Sequence, residues 1–458
     1  MAQWVDSIFS QLTVEEKIGQ CFVLTFEPQN SATNINKVKR MISKLKIGGL
    51  LFSKGDIKEQ ATFTNLAQTA SKVPLFITLD GEWGLAMRLE GATRFPKNMM
   101  LGAIADEQLL FDYGREVARQ CREMGIQMNF APVLDVNSNP DNPVIGTRSF
   151  GDSPQRVAAL GIAYARGLES LGVVAVGKHF PGHGNTQEDS HNMLAVVSGS
   201  RSKLDSVELL PFRKYAEAGL SGIMVGHLSA LGLDSTPDIP ASLSAKTITG
   251  VLKNDLAFSG LVVTDGLAMR GVGSGNVCVR ALLAGNDILL NPVNPESEFE
   301  DIKKAVENGD IPLALIDEKC RKILQYKYIT GLKTYRDIQL PDLKSRLNTP
   351  EAELINRRLN EHAITLLKND KQLLPLTGLD KKKIAFVSAG EAMLTDFQKS
   401  LLNYVQTASF NISANSPISA VLPKLSTYDV VIIGIHNAKQ PYTSLVSELL
   451  KRRKKVGL

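Results

Sequence analysis

The chain has 458 residues, 43% of them hydrophobic and 22% charged, which is a balance typical of soluble globular proteins and a length that predicts two domains. The formal net charge is +5, but part of the excess comes from the basic run at 451–455 rather than from interleaved basic and aromatic residues, so nucleic-acid binding is not predicted. No apolar run reaches the roughly 18 residues needed to span a bilayer, so membrane insertion is not predicted either.

The cysteines give information about metal binding and disulfides, and the two ends of the chain give information about localisation. Four cysteines lie far apart without a CxxC pair, which favours buried small side chains over a zinc site or a disulfide framework. The N-terminus is polar and amphipathic rather than a signal peptide, and the end, KRRKKVGL, follows a helical pattern without completing a second fold. We therefore expect a fragment of a longer protein, and its localisation stays open between cytoplasmic and periplasmic or secreted.

Eight short apolar runs rich in β-branched residues follow one another along the chain. They occupy residues 18–26, 48–52, 74–80, 127–136, 173–180, 222–228, 260–266 and 286–291. Near-continuous hydrophobicity is typical of parallel strands that are covered on both faces, and helix-patterned segments such as 106–124, 153–171 and 204–218 supply the crossovers. Eight such units predict an α/β fold of the (β/α)₈ TIM-barrel type. A doubly wound open sheet is the alternative, because a strand count does not prove closure.

The pattern changes after the eighth unit. We predict a barrel over residues 1–335 and a charged, proline-containing linker at 336–350. Residues 351–458 are predicted to form a smaller α/β domain, which begins with a helix at 351–368 and includes strand-like runs at 383–388 and 429–435. Because this domain contains few strands, we expect it to be truncated.

Polar residues follow several of the predicted strands, and in a barrel such positions converge on one mouth, where catalytic groups lie. Asp265 ends the apolar run LVVT, so its carboxylate must be solvated at the mouth or paired. Glu82, Asp135 and His227 hold similar positions, but there a loop cap or a solvated group is an equally good interpretation. The other candidates at strand ends are Asp80, Arg88, Arg148, Lys178 and His179.

The segment 177–191, GKHFPGHGNTQEDSH, contains three of the six histidines of the chain. Asp189 and His191 stand two residues apart, on one side of an extended segment, so the carboxylate can orient the imidazole as a general acid/base. His183 lies between two glycines, which indicates a tight turn and a structural role.

Lys178 and His179 lie where the fifth predicted strand ends and the loop begins. As buried donors they suit sugar hydroxyls or a carbonyl group. They also suit an internal ion pair with a barrel carboxylate such as Asp80 or Asp135, and the two interpretations are compatible.

The ordered motifs of the chain resemble glycoside hydrolase family 3, and within it the bacterial β-N-acetylglucosaminidases. The motifs are IGTRSFGD, then KHFPGHG with DSH downstream, then VVTDGLAM, and finally NEHAITLLKNDKQLLPL. Four motifs in this order are more specific than any one of them, and the resemblance covers essentially the whole chain.

The resemblance implies a role for each matching residue. Asp265 would be the nucleophile of a retaining double displacement, and Asp189 with His191 would form the acid/base dyad, at about 5 Å from the nucleophile during reaction. The sugar-binding positions would be Asp80, Arg88, Arg148, Lys178 and His179. The implied substrate is an amino-sugar oligosaccharide or a muropeptide from peptidoglycan, with no cofactor and no metal. Many members carry an acidic residue where Gly266 stands here, so the resemblance does not extend to that position.

Three other readings of the same residues stay open. A metal-dependent barrel hydrolase would use His179, His183, His191 and Asp265 as ligands, although the HxH pair usual in such barrels is missing from 18–26. A catalytically silent sugar-binding module would need neither Asp265 nor His191. A phosphorylase would use phosphate in place of water as the acceptor. The oligomeric state is not predicted.

Overall fold

The computed structural model describes residues 1–190, 193–369, 372–391, 393–413 and 418–436. Contacts between residues divide the chain into two compact units, Met1–Ile364 and a second that begins at Thr365. All four cysteines are buried and unpaired, as predicted. Among the described helices, none combines the length and the apolar character needed to cross a membrane.

The first unit is built around a parallel sheet of eight strands. They are β1 (Phe22–Phe26), β2 (Gly49–Phe52), β3 (Phe76–Leu79), β4 (Met128–Asn129), β5 (Val174–Phe180), β6 (Gly222–Val225), β7 (Leu261–Thr264) and β8 (Leu289–Leu290). Their order is β7-β6-β5-β4-β3-β2-β1-β8, and every neighbouring pair is parallel. A parallel bridge between Val263 and Ile288, with Thr264 N donating to Ile288 O at 3.0 Å, joins β7 to β8 and closes the sheet. The barrel prediction is confirmed, and the open-sheet alternative is wrong.

Helices surround the barrel and connect its strands. In unit 1 they span Ala2–Phe9, Val14–Gln20, Ala32–Leu45, Ile57–Ala70, Asn98–Leu101, Glu107–Glu123, Pro154–Glu169, Arg201–Ser206, Leu210–Glu217, Lys246–Asp255 (a π-helix), Val277–Ala284, Pro295–Glu307, Leu313–Ile329, Leu343–Leu347 and Pro350–Ala363. Several begin at a residue whose side chain accepts from the first free backbone N–H groups, as Asp106 does for Glu107–Glu123 and Ser153 for Pro154–Glu169. The two-stranded sheets Gly55–Asp56 with Leu89–Glu90, and Ala195–Val196 with Leu228–Ser229, lie among the connections.

The first strand begins later than predicted. Residues 18–20, which the apolar run assigned to a strand, belong to the helix Val14–Gln20. Thr13 accepts from Glu16 N while the Glu16 carboxylate accepts from Thr13 N, and this capping box fixes the start of the helix. A local hydrogen-bonded motif therefore overrides the apolar pattern here.

The helices Glu107–Glu123 and Pro154–Glu169 pack closely because glycines lie at their contact. A Cβ atom on Gly114 would lie 2.2 Å from Tyr164 O, and one on Gly167 would lie 2.2 Å from Phe111 O. Only glycine allows the two backbones to approach this far. The first of these helices precedes β4 in the chain, and the second precedes β5.

The first unit extends past the linker predicted at 336–350. Arg119 donates to Arg346 O at 2.6 Å and to Leu347 O at 2.8 Å, and Leu347 is buried. The helix Pro350–Ala363, predicted to open the second domain, belongs to unit 1 and buries Leu359. The division after Ile364 thus falls later than the domain boundary predicted from composition.

The second unit contains a three-stranded parallel sheet. Its strands are β9 (Ile384–Ala389), β10 (Ala408–Ile412) and β11 (Val430–Ile435), in the order β10-β9-β11. The central strand β9 is buried along its whole length, and the helices Asp396–Leu402 and Ile418–Leu425 accompany the sheet. A small α/β unit with strands at 383–388 and 429–435 was predicted here, but β10 was not.

Candidate active site

The residues predicted at strand ends do converge on one mouth of the barrel. Asp80 follows β3 directly, Lys178 and His179 are the last polar residues of β5, and Asp265 follows β7. The pairing of β5 with β6 changes register between Gly177 and Phe180. Such an irregularity re-aims side chains, and two consecutive residues of β5 both engage polar partners at the mouth.

Lys178 lies at the centre of the polar network. Its ammonium is 2.8 Å from Asp80 Oδ1 and 2.9 Å from Glu82 Oε1, although the side chain is only 3% exposed. Arg88 Nη2 donates to the other Asp80 oxygen at 2.9 Å. Burial alone would lower the pKa of Lys178, but Asp80 and Glu82 raise it above its ordinary value, so the amine is held as a cation.

Glu82 is a site residue that sequence reasoning left undecided. It is buried, and Arg148 binds it with two hydrogen bonds, Nε to Oε2 at 3.0 Å and Nη2 to Oε1 at 2.8 Å. Burial would raise the pKa of Glu82, yet Lys178 and Arg148 hold it well below the usual range. Its position two residues after Asp80 was the available signal, because both carboxylates follow the same strand.

His179 is held by the buried carboxylate of Asp135. His179 Nδ1 lies 2.7 Å from Asp135 Oδ2, and its other ring nitrogen lies 3.4 Å from Arg148 Nη2. The remaining Asp135 oxygen accepts from the backbone N–H groups of His179 at 3.1 Å and His183 at 2.7 Å. Asp135, also left undecided by sequence, thus ties β5 to the start of the following loop.

His183 has the structural role that was predicted for it. Its ring nitrogens lie 2.7 Å from Thr186 Oγ1 and 2.9 Å from Ser190 Oγ, and burial lowers its pKa. With both nitrogens engaged, His183 is a poor candidate for a metal ligand. Within the described residues, no group of three or more His, Cys, Asp or Glu side chains has an arrangement suited to a metal ion.

Asp265 is half-buried at the end of β7 and is held in place by its own loop. Its Oδ1 accepts from Gly266 N at 2.7 Å, and its backbone N–H donates to Val225 O at 2.9 Å. His227 Nε2 lies 3.0 Å from Gly266 O. Burial alone would raise the pKa of Asp265, but His179, His227 and the Gly266 N–H together hold it below its ordinary value. Gly266 therefore supports the loop of the predicted nucleophile through its backbone.

The loop after β5 contains the predicted acid/base pair. Asp189 is half-buried, and its carbonyl oxygen accepts from Met193 N at 3.1 Å. The neighbouring Ser190 is buried against His183, and Asn142 Nδ2 donates to His183 O at 2.8 Å, so the loop is tied to the segment before it. His191, the predicted proton donor, lies outside the described residues.

A closed parallel barrel whose mouth gathers carboxylates, basic side chains and histidines from β3, β5, β6 and β7 defines a (β/α)₈-barrel enzyme. The chain belongs to glycosyl hydrolase family 3, because the profile described as "Glycosyl hydrolase family 3 N terminal domain" matches residues 13–326. The resemblance seen in the sequence motifs is confirmed, and the chain is a glycoside hydrolase.

Curated relatives and solved structures agree with this assignment. The chain is 33% identical over 415 residues to beta-hexosaminidase A of Pseudoalteromonas piscicida, covering 80% of this chain and 69% of that protein. It is 32% identical over 332 residues to beta-hexosaminidase LpqI of Mycobacterium tuberculosis, covering 69% of this chain and 83% of that protein. The solved family 3 beta-N-acetylglucosaminidase of Paenibacillus sp. str. FPU-7 superposes with a TM-score of 0.80 at 29% identity, covering 97% of this chain and 88% of that one.

Proposed function

We propose that this glycoside hydrolase is a retaining exo-β-N-acetylglucosaminidase that removes terminal, non-reducing, β-linked N-acetylglucosamine, with peptidoglycan fragments as its natural substrates. The names of the relatives, beta-hexosaminidase and beta-N-acetylglucosaminidase, support the activity. The observation that carries the mechanism is Asp265, which stands at the mouth, half-buried, with its pKa held below the ordinary value and therefore ionised at neutral pH.

The sugar is proposed to bind against the network on the side of β3 to β5. Asp80, Arg88 and Arg148 have side chains that are 20%, 29% and 22% exposed, so they retain polar surface toward the mouth. Lys178 and His179 lie behind them, almost fully buried. This arrangement offers both donors and acceptors to the hydroxyl and acetamido groups of one sugar ring, in positions fixed before the substrate arrives.

The reaction is proposed to proceed in two displacements. The Asp265 carboxylate attacks the anomeric carbon while the bond to the leaving oxygen breaks, and His191 gives its proton to that oxygen. His191, now neutral, takes a proton from water as the water oxygen attacks the same carbon and releases Asp265. Asp189 is proposed to orient His191 and to stabilise its charged form. A neutral histidine does not repel the ionised Asp265 as a second carboxylate would.

Trapping the covalent intermediate tests this proposal. A slow 2-acetamido-2-deoxy-glycosyl fluoride is incubated with the enzyme, and the mass of the intact protein and of its peptides is measured. We expect one added N-acetylglucosaminyl group, located on Asp265, together with release of an aryl N-acetyl-β-glucosaminide aglycone by the untreated enzyme. An active enzyme that yields an inverted product, or a sugar attached elsewhere, would contradict the mechanism. Binding without turnover would favour a silent sugar-binding module.

A further inference from the structure

Ser190 stands between Asp189 and His191, the two residues of the proposed acid/base pair. It is only 2% exposed, and its hydroxyl oxygen lies 2.9 Å from His183 Nε2. A hydroxyl that is buried and engaged by a histidine is not available to a substrate. Any effect of Ser190 on the reaction therefore acts through its neighbours in the chain.

The surroundings of the His183 ring give this hydrogen bond a direction. His183 Nδ1 lies 2.7 Å from Thr186 Oγ1, and the Thr186 hydroxyl donates to His183 O at 3.1 Å. Because the hydroxyl hydrogen is used there, Thr186 Oγ1 accepts from the Nδ1–H group, and His183 Nε2 keeps its lone pair. Burial lowers the pKa of His183, which keeps the ring neutral at neutral pH. The Ser190 hydroxyl therefore donates to Nε2.

His183 is itself held on both sides of its backbone. Its N–H group donates to Asp135 Oδ1 at 2.7 Å, and its carbonyl oxygen accepts from Asn142 Nδ2 at 2.8 Å. The oxygen of the same Asn142 amide accepts from Val144 N at 2.9 Å, and Val144 O accepts from Arg148 Nη1 at 3.3 Å. His183 is thus fixed to the segment that carries one arginine of the proposed sugar network.

The backbone of Ser190 packs against the loop of the proposed nucleophile. A Cβ atom placed on Gly271, in the loop that begins at Asp265, would lie 2.7 Å from Ser190 O and 3.0 Å from Met193 O. Only glycine allows the two backbones to approach this far. Ser190 is therefore held in two ways: its side chain is hydrogen-bonded to His183, and its carbonyl group lies against Gly271.

We infer that Ser190 is a positioning residue for the acid/base pair, and that its hydrogen bond to His183 holds Asp189 and His191 at the distance from Asp265 that the reaction needs. This inference rests on the proposed function, since it concerns the proton donor of the same reaction. The two catalytic groups of a retaining glycosidase must approach to about 5 Å, and a displacement of about 1 Å lowers a rate by about 10²-fold. A bond that fixes the chain between the two members of the pair therefore controls the rate of proton transfer.

The test compares the full chain and its Ser190→Ala variant on two substrates that differ in the leaving group. On a disaccharide with β-linked N-acetylglucosamine, kcat should fall by about 10- to 10²-fold, because the sugar leaving group needs a well-placed proton donor. KM should change by less than about twofold, since the proposed sugar network is intact. With an activated aryl N-acetyl-β-glucosaminide, release of the aryl group in the first turnover should change by less than about threefold.

Ser198→Ala is the matched control, because it makes the same substitution at an exposed position of the same connection between β5 and β6. It should change neither rate. Urea unfolding of Ser190→Ala checks that the variant is folded under the assay conditions. If it is not, Ser190→Cys takes its place; the thiol is a weaker donor, so the same selective loss is expected with a smaller size.

A double variant shows whether Ser190 acts through His191. When Ser190→Ala is combined with His191→Ala, the disaccharide should be hydrolysed as fast as by His191→Ala alone, because a donor that is absent cannot be misplaced. A general structural defect would instead add its own loss to that of His191→Ala.

The outcomes separate this inference from the proposed function. If His191→Ala is selective for the disaccharide but Ser190→Ala is not, the inference alone is overturned. A raised KM in place of a lowered kcat, or a double variant slower than His191→Ala, overturns it as well. If His191→Ala slows both substrates by the same factor, His191 is not the acid, so the proposed function fails at that step and the inference fails with it.

Discussion

The two sides of the barrel mouth are built differently. On the side of β3 to β5, the carboxylates of Asp80, Glu82 and Asp135 each have a basic partner within 3 Å. On the side of β7, the Asp265 carboxylate accepts from the neighbouring backbone N–H of Gly266, and the nearby His179 and His227 lower its pKa. One side is thus a network of paired charges, and the other presents a half-buried carboxylate toward the mouth.

This difference suits two tasks. A network of paired, buried charges has its side chains fixed before the substrate binds, which favours selective recognition of one sugar. A nucleophile must keep lone pairs free to form a bond, so a tight ion pair with Arg or Lys would weaken it. If the comparison is correct, substitutions on the two sides should have different effects. A substitution at Asp265 should slow the chemical step, whereas one at Glu82 should weaken both sugar binding and the stability of the fold.

The largest effect is expected for Asp265→Ala. Without the carboxylate no covalent intermediate forms, and kcat on the aryl N-acetyl-β-glucosaminide should fall on the order of 10⁴-fold or more, with a free energy of unfolding close to that of the wild type. Steady-state kinetics with a denaturant titration measures both. Asp310→Ala, at an exposed position in the barrel, is the matched control and should change neither quantity. Substantial residual turnover by Asp265→Ala would remove Asp265 from the nucleophile role.

The next effect concerns His191 and depends on the leaving group. His191→Ala removes the proposed proton donor, so turnover of an alkyl or sugar leaving group should fall by roughly 10² to 10⁴-fold. An activated aryl leaving group needs little protonation, and the first displacement on it should be affected much less. Pre-steady-state release of the aryl group from each substrate measures this step. Equal losses on both kinds of substrate would count against His191 as the acid.

A smaller effect, on both stability and kcat/KM, is expected on the side of β3 to β5. Glu82→Gln removes the charge that binds Arg148 and Lys178, and breaking a buried ion pair from one partner costs about 3–5 kcal/mol of stability. Arg148, which is proposed to bind the sugar, also loses its fixed position, so kcat/KM should fall by about 10²-fold, largely through KM. Glu90→Gln, on an exposed carboxylate nearby in sequence, should leave both values unchanged. A stable Glu82→Gln protein with normal KM would show that the network does not organise the sugar site.

The barrel itself could be predicted from the sequence, because eight apolar runs of strand length are a strong and repeated signal. The ends of the individual helices and strands could not be predicted, because local hydrogen bonding and a proline decide them. A capping box turned residues 18–20 into a helix. The helix predicted at 204–218 is two helices, Arg201–Ser206 and Leu210–Glu217, and Pro211 stands in the first turn of the second, where a proline is favoured.

The sequence predicts which residues form the site better than it predicts which of them contact one another. Asp265, Lys178 and Asp80 were identified as candidates because each ends a strand. The pairing of Lys178 with both Asp80 and Glu82, however, joins residues that are nearly one hundred positions apart, as the Lys178–Asp80 separation of 98 shows. Such contacts depend on how the strands are staggered around the barrel, which no local pattern encodes. Glu82 was left undecided for this reason, since only its cationic partners distinguish it from a solvated loop residue.

The smallest effect concerns Glu208, which lies beside the start of the loop that follows β5. This residue is buried, and neither carboxylate oxygen is hydrogen-bonded to another described residue. A Cβ placed on Gly182, in the loop that follows β5, would lie 2.8 Å from the Cβ of Glu208. Burial raises the pKa of Glu208, and its own backbone N–H and the charge of Lys203 oppose the shift without reversing it. A raised pKa in the folded state means that the contribution of Glu208 to stability is present at low pH and is lost as the pH rises through that pKa.

Glu208→Gln keeps the shape of the side chain and cannot ionise. We therefore expect the variant to match the wild type near pH 4 and to become more stable than the wild type as the pH rises to 8, by about 1–3 kcal/mol, the cost of an unsatisfied buried group. Urea unfolding at several pH values measures the difference, and Glu217→Gln, at an exposed carboxylate on the following helix, should show no such pH dependence. If the free energies of unfolding of the wild type and Glu208→Gln differ by the same amount at every pH, Glu208 is neutral over the whole range. If the variant is less stable at high pH, the Glu208 carboxylate is stabilised by a partner, and Glu208 is not an unsatisfied buried group.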